Sequence, residues 1–153
     1  MHVALADVVW PALWLAGRLV AVWAIGIGLV VELFFVKWLT GFGWGNAVLA
    51  DVAMNAASSL IGLFLIPVTG LAWEFSAGIA LYKVFNIGTF NPITWAATFV
   101  IAVFVNSALE TTVLCYGFKQ RPFKRFFWWL SLANAFSVGI AVASIFFNPP
   151  GHD

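Results

Sequence analysis

Long apolar stretches with very few charges constrain this sequence more than any other feature. Of its 153 residues, 63% are hydrophobic and only 8% are charged, whereas soluble domains carry roughly 25% charged residues. So few charges cannot cover a surface that faces water, and the sequence therefore predicts an integral membrane protein. Because a spanning helix needs about 20 residues, the chain has room for about four or five spans and short loops.

Two short turns divide the apolar stretches into pairs. Residues 39–46 hold three glycines within five residues, and residues 119–125 (KQRPFKR) hold four cations. Turns this short favour antiparallel neighbours, so we expect two helical hairpins, over residues 19–70 and 93–147. The four transmembrane helices are predicted at residues 19–38, 47–70, 93–118 and 126–147. The fold class is then an all-α integral membrane protein that forms one domain, residues 1–153.

Three further segments surround the predicted hairpins. Residues 1–18 contain Asp7 and Pro11 and suit an interfacial helix, although one unbroken helix over residues 11–38 is the alternative. Residues 71–92 contain Glu74 and Lys83, which disfavour full burial, so we expect an interfacial or re-entrant segment rather than a fifth span. Residues 148–153 form a tail.

The basic residues predict an orientation. Five of the seven flank the two tight turns: Lys37, Lys119, Arg121, Lys124 and Arg125. The positive-inside rule therefore places both turns in the cytoplasm and both termini outside, in a membrane of the bacterial plasma or inner type. The cations at 119, 121, 124 and 125 are also candidate contacts for anionic lipid.

A polar pattern recurs in the two hairpins. Glu32 is followed by Asn55 and Ser58, and Glu110 is followed at nearly the same interval by Asn134 and Ser137. At 1.5 Å of rise per residue, Glu32 lies about 9 Å from the cytoplasmic end of its helix, and Asn55, Glu110 and Asn134 lie about 12 Å from theirs. The pattern predicts that each carboxyl faces an amide of the partner helix, and it suggests a parallel internal repeat.

Two interpretations of these polar residues stay open. In the first, a buried network of hydrogen bonds fixes how the helices pack. In the second, the carboxyl groups form a cation or proton site. The residues concerned are Glu32, Asn55, Ser58, Asn106, Glu110, Asn134 and Ser137.

Several functional classes are disfavoured. The two histidines are His2 and His152, and Cys115 is the single cysteine, so no cluster of metal or haem ligands is available within the spans and no cofactor is expected. A net charge of +1 disfavours a nucleic-acid partner. No catalytic constellation is recognisable, so an enzyme is not expected, and a lipid-modifying enzyme with Glu110 as base is the weakest alternative.

Two functions remain as expectations. The first is a non-catalytic membrane subunit or scaffold that packs in the bilayer against other membrane subunits or against itself. The alternative is a small oligomeric transporter or channel for a cation or proton, which would use Glu32 and Glu110.

Overall fold

The described part of the chain is helical apart from short connections. The computed structural model describes residues 22–86 and 92–147, and no strand occurs among them. The five α-helices are α1 (Val22–Thr40), α2 (Trp44–Trp73), α3 (Ile79–Phe85), α4 (Pro92–Thr112) and α5 (Phe123–Phe147). The all-α prediction is confirmed for these residues, and the predicted segments at 1–18 and 148–153 lie outside them.

The turn between α1 and α2 is shorter than the predicted loop at 39–46. Gly41 takes a φ of 70°, which glycine tolerates without steric cost, and its N–H donates to the Lys37 carbonyl oxygen. Thr40 Oγ1 donates to the Val36 carbonyl oxygen and accepts a bond from the Phe42 N–H. The chain therefore needs only residues 41–43 to pass from α1 to α2.

The backbone continues as a helix beyond α2 without a break, in the region where a separate interfacial or re-entrant helix was predicted. A wider π-helical turn, Glu74–Gly78, joins α2 directly to α3. Residues 71–77 include neither proline nor glycine, so nothing local stops the helix there. It ends at Asn86, whose φ of 54° gives the left-handed cap common at helix C-termini.

The predicted turn at 119–125 also contains the beginning of α5. A second π-helical turn, Val113–Gly117, extends α4, and α5 starts at Phe123. The Phe126 N–H donates to the Pro122 carbonyl oxygen, which closes the first helical turn. Lys124 and Arg125 consequently lie on the helix rather than in the loop.

The four long helices contact one another in a closed ring. The principal contacts place α1 against α2 and α5, and α4 against the same two helices. At the end nearest the turns, apolar side chains from α1, α2, α5 and the second π-helical turn form a buried cluster. Its members are Val36, Leu39, Ala50, Met54, Leu114, Phe126 and Leu130.

Large apolar side chains cover the outside of this bundle. Phe64 and Leu60 on α2 are 73% and 69% exposed, and Phe34 on α1 is exposed as well. Within the described residues, Trp44–Leu65 and Phe99–Gly117 are long and apolar enough to cross a membrane, by length and composition.

Candidate functional site

Three acidic side chains lie inside the helix bundle. Glu32 on α1 and Asp51 on α2 are each 4% exposed, and Glu110 on α4 is 1% exposed. They are close enough to interact electrostatically, since Glu32 acts on both Asp51 and Glu110. Glu32 and Glu110 come from α1 and α4, which lie opposite each other in the ring of helices. The acids of the two predicted hairpins therefore share one centre.

The best-defined contact in this centre joins α4 and α5. Asn134 Nδ2 donates to Glu110 Oε2 at 2.5 Å and to the Leu130 carbonyl oxygen at 3.1 Å. Both side chains are buried, so this hydrogen bond between side chains is shielded from solvent. It pairs the carboxyl and the amide that the spacing of the second hairpin placed at the same depth.

Glu32 is held differently, because its neighbours come from two helices. Its carboxyl interacts with Asn55 of α2 and with Ser137 of α5. Ser137 Oγ also contacts the Gly28 carbonyl oxygen at 3.5 Å, which brings α5 close to the backbone of α1. Glu32 Oε2 is buried, and no hydrogen bond to it comes from the residues that the structure describes. The sequence pattern suggested Asn55 as a neighbour and gave no sign that Ser137 would cross to the other hairpin.

The α2 side of the centre is a short chain of polar contacts. Asn55 Nδ2 donates to the Asp51 carbonyl oxygen at 3.0 Å and to Asp51 Oδ1 at 3.4 Å. Ser58 Oγ donates to the Asn55 carbonyl oxygen at 3.2 Å, and Ser58 also interacts with Glu110. Ser58 therefore links α2 to the carboxyl of α4.

The polar centre contains residues that were not among the predicted site residues, and one predicted site residue does not bond within it. Asp51, Ser107 and Thr111 are buried, although none was among the predicted site residues. Asp51 precedes Asn55 by four positions, a helical spacing that could have identified it. Asn106 is only half-buried and makes no side-chain hydrogen bond in the described part of the chain.

The basic residues lie away from this centre. Lys119, Arg121, Lys124 and Arg125 are all exposed around the start of α5. Lys37 Nζ donates to the Phe42 carbonyl oxygen and lies 4.5 Å from the centre of the Trp44 ring. No basic side chain in residues 22–86 or 92–147 interacts with Glu32, and the same holds for Asp51 and Glu110.

The chemistry open to the centre is that of carboxyl, amide and hydroxyl groups. Within the described ranges, no group of three or more His, Cys, Asp or Glu side chains is arranged to hold a metal ion. The centre can exchange hydrogen bonds and protons, and it can fix the relative positions of four helices. Comparison with protein-family models, curated proteins and solved structures finds no match to this chain.

Proposed function

We propose that this chain is an integral membrane protein whose four long helices cross the bilayer as two antiparallel hairpins. Acidic side chains point inward while large apolar side chains point outward, which is the distribution that a lipid solvent favours. At 1.5 Å per residue, the 19 residues of α1 cover about 28 Å and the 25 residues of α5 about 37 Å. Both lengths match a hydrocarbon core of about 30 Å.

The segment after α2 is proposed to leave the hydrocarbon core. The 30 residues of α2 extend about 45 Å, which is longer than the core is thick. The part of α2 that is long and apolar enough to cross a membrane is Trp44–Leu65. The residues that follow, through Glu74 and Lys83, would then lie at the membrane surface, as an interfacial segment does.

The proposed orientation places the basic turns in the cytoplasm and both ends of the chain outside. The cations near the two turns support this orientation through the positive-inside rule. Indole side chains lie at the same end of the bundle, where Trp38 and Trp129 meet edge to face at 4.8 Å. Exposed tryptophans of this kind are enriched where a bilayer meets water.

Within this framework, the chain is proposed to be a non-catalytic subunit or scaffold of a membrane complex. The observation that supports this role is the Glu110–Asn134 hydrogen bond, in which a buried acid is already used to hold two helices of the same chain together. The polar side chains of the centre bond to one another inside the bundle. The outer surface consists of apolar side chains, which can contact lipid or other membrane helices. The two carboxyl–amide pairs at corresponding positions also support the proposed internal repeat.

Purification from native membranes in a gentle detergent, followed by native mass determination, tests the subunit proposal. We expect other membrane proteins to remain bound in a fixed ratio across two different detergents, for the wild type and for Glu110→Gln alike. Glutamine keeps an uncharged donor and acceptor beside Asn134, so internal packing is retained. A chain that is always alone, or only self-associated and able to conduct ions, contradicts the proposal.

A second function, the transport of protons or cations by an oligomer, is favoured by one specific observation. Three acids share the centre without a basic partner in the described ranges, and Glu32 Oε2 is buried without a hydrogen-bond partner. Flux into liposomes that contain the purified chain tests this function, with Glu32→Gln and Glu110→Gln as variants and Glu74→Gln as the control. The transport function is eliminated if no flux is measured, or if neither Glu32→Gln nor Glu110→Gln changes the flux.

A further inference from the structure

The two buried glutamates have matching surroundings, drawn from both hairpins. Each interacts with an asparagine of its own hairpin and with a serine of the other hairpin. The two sets are Glu32 with Asn55 and Ser137, and Glu110 with Asn134 and Ser58. In the ring of helices, α1 lies opposite α4, and α2 lies opposite α5. The polar centre therefore has two corresponding halves, and a difference between them can be traced to single residues.

The two asparagines differ in where one amide hydrogen goes. Each Nδ2 atom donates to the carbonyl oxygen four residues earlier, Asn55 to Asp51 at 3.0 Å and Asn134 to Leu130 at 3.1 Å. An amide nitrogen has a second hydrogen. In the second hairpin, this hydrogen goes to Glu110 Oε2 at 2.5 Å. In the first hairpin, the second bond goes to Asp51 Oδ1 at 3.4 Å.

The residue four positions before each asparagine accounts for this difference. Asp51 precedes Asn55, whereas Leu130 precedes Asn134. Residues four apart lie on the same face of a helix, so each of them is beside its asparagine. The buried carboxyl of Asp51 is an acceptor, but the side chain of leucine has none. Only the first hairpin therefore has a second side-chain acceptor within reach of the amide.

Two carboxyl groups of the first hairpin consequently depend on one hydrogen. The 3.4 Å between Asn55 Nδ2 and Asp51 Oδ1 is longer than the separation of about 2.9–3.0 Å that is usual for such bonds. Asn55 also interacts with Glu32, whose buried Oε2 atom receives no hydrogen bond from residues 22–86 or 92–147. A buried acceptor without a donor is costly. Glu32 would therefore take the hydrogen if Asp51 did not compete for it.

We propose that the Asn55 amide is a switch with two positions, in which Asp51 and Glu32 compete for one hydrogen. When Asp51 accepts it, the Glu32 carboxyl is incompletely satisfied. When Glu32 accepts it, the first hairpin takes the arrangement that Glu110 and Asn134 have in the second. A group that donates to the Asp51 carboxyl would release the hydrogen, so a change beside Asp51 acts on Glu32 through Asn55. This switch goes beyond the subunit role, because it concerns contacts within one chain.

Nuclear magnetic resonance of the full chain in lipid nanodiscs tests the switch, with the asparagine side chains labelled. A stronger hydrogen bond moves an amide proton downfield, and Asn55→Ala and Asn134→Ala assign the two signals. In the wild type, we expect the most downfield proton of Asn134 to lie further downfield than that of Asn55. Asp51→Leu, which removes the competing acceptor, is expected to move the Asn55 proton towards the position of the Asn134 proton.

Asp51→Asn is the matched control. It removes the charge at this position but keeps a side-chain oxygen that can accept the hydrogen. The Asn55 proton is therefore expected to stay near its wild-type position in this variant. Asp51→Ala is measured as well, because alanine removes the acceptor without adding bulk, and it is expected to move the Asn55 proton in the same direction as Asp51→Leu.

Four results would overturn the proposal. The Asn55 and Asn134 protons could resonate at the same position in the wild type, or neither Asp51→Leu nor Asp51→Ala could move the Asn55 proton. Asp51→Asn could move it as far as Asp51→Leu, which would assign the effect to charge rather than to the acceptor. Loss of the fold in both Asp51→Leu and Asp51→Ala would show that Asp51 is a structural requirement rather than a competitor. None of these readouts involves co-purifying subunits or ion flux, so a failure of the switch is distinguishable from a failure of the proposed function.

Discussion

Ser137 on α5 lies directly against the backbone of Gly28 on α1. A Cβ atom added at Gly28 would come within 3.3 Å of both Cβ and Oγ of Ser137, and the Ser137 hydroxyl is 3.5 Å from the Gly28 carbonyl oxygen. Small residues allow this kind of close helix approach in membrane proteins. The contact also positions Ser137 beside the Glu32 carboxyl, so the packing of two helices and the composition of the polar centre are linked.

Gly28→Ala is expected to destabilise the bundle relative to Gly26→Ala. Both changes gain about 1 kcal/mol in helix propensity, but only the alanine at 28 meets Ser137, since nothing lies within 4 Å of a Cβ at Gly26. We expect the Gly28 variant to be the less stable of the two by about 1–3 kcal/mol, the usual cost of overpacking. Unfolding of both purified variants in one detergent measures the difference, and equal stabilities would argue against the close contact.

Asn134→Ala is expected to cost about 1–3 kcal/mol, because it removes the donor to a buried acid. Asn106→Ala is the matched control, since Asn106 lies on α4 one helical turn before Glu110 and makes no side-chain hydrogen bond in the described ranges. Thermal unfolding in detergent compares the two variants. A control that loses as much stability as Asn134→Ala would contradict the importance assigned to the Glu110–Asn134 bond.

The exposed cations at the start of α5 are predicted to bind anionic lipid. Lys124 and Arg125 occupy the first turn of α5, which has no acidic residue, and cations are unfavourable at the positive end of a helix dipole. Anionic headgroups would offset this cost, at about 1 kcal/mol for each cation near the surface. Replacing Lys119, Arg121, Lys124 and Arg125 together by glutamine should abolish the stabilisation that anionic lipid gives over zwitterionic lipid.

A charge-preserving variant of the same four positions provides the control. Lys119→Arg, Arg121→Lys, Lys124→Arg and Arg125→Lys should together retain the lipid-dependent rise in unfolding temperature. A rise that persists after all four charges are removed, or that zwitterionic lipid produces equally, would mean that this surface does not select anionic headgroups.

Glu74 lies outside the polar centre, and we expect it to make the stability of the fold depend on pH. Burial raises the pKa of the Glu74 carboxyl above its ordinary value, and its buried Oε1 atom has no hydrogen-bond partner within residues 22–86 and 92–147. Because the pKa is higher in the folded state, the contribution of Glu74 is fully present below the unfolded-state pKa and is lost as the pH rises through the folded-state pKa. Glu74→Gln should remove this decline in unfolding temperature, whereas Lys83→Gln should leave it intact.

The helical class and the depth of the polar residues could be predicted because both depend on local properties of the sequence. Apolar runs and the 1.5 Å rise place Glu110 and Asn134 at equal depth, and the structure brings them within a hydrogen bond. The positions at which helices end were harder to predict from the sequence. The helix from Trp44 continues through the π-helical turn to Phe85, and no residue in 71–77 distinguishes an interfacial segment from a continued helix.

Contacts between the two halves of the chain could not be predicted from spacing. The interaction of Glu32 with Ser137 depends on the rotation of α1 against α5, and that rotation is set by the close approach at Gly28. Residue spacing defines which side chains share a face of one helix, but it does not define which face a distant helix covers.

The crossing of Ser137 to Glu32 has a consequence for the order in which the protein is assembled. Synthesis proceeds from the N-terminus, so α1 and α2, with Glu32 and Asp51, are made long before α5 exists. Until α5 docks, Glu32 lacks Ser137, and Glu110 lacks the amide of Asn134. Among the described helices, α5 therefore completes the surroundings of Glu32 and Glu110, and a chain released before α5 is made would carry those groups still unsatisfied.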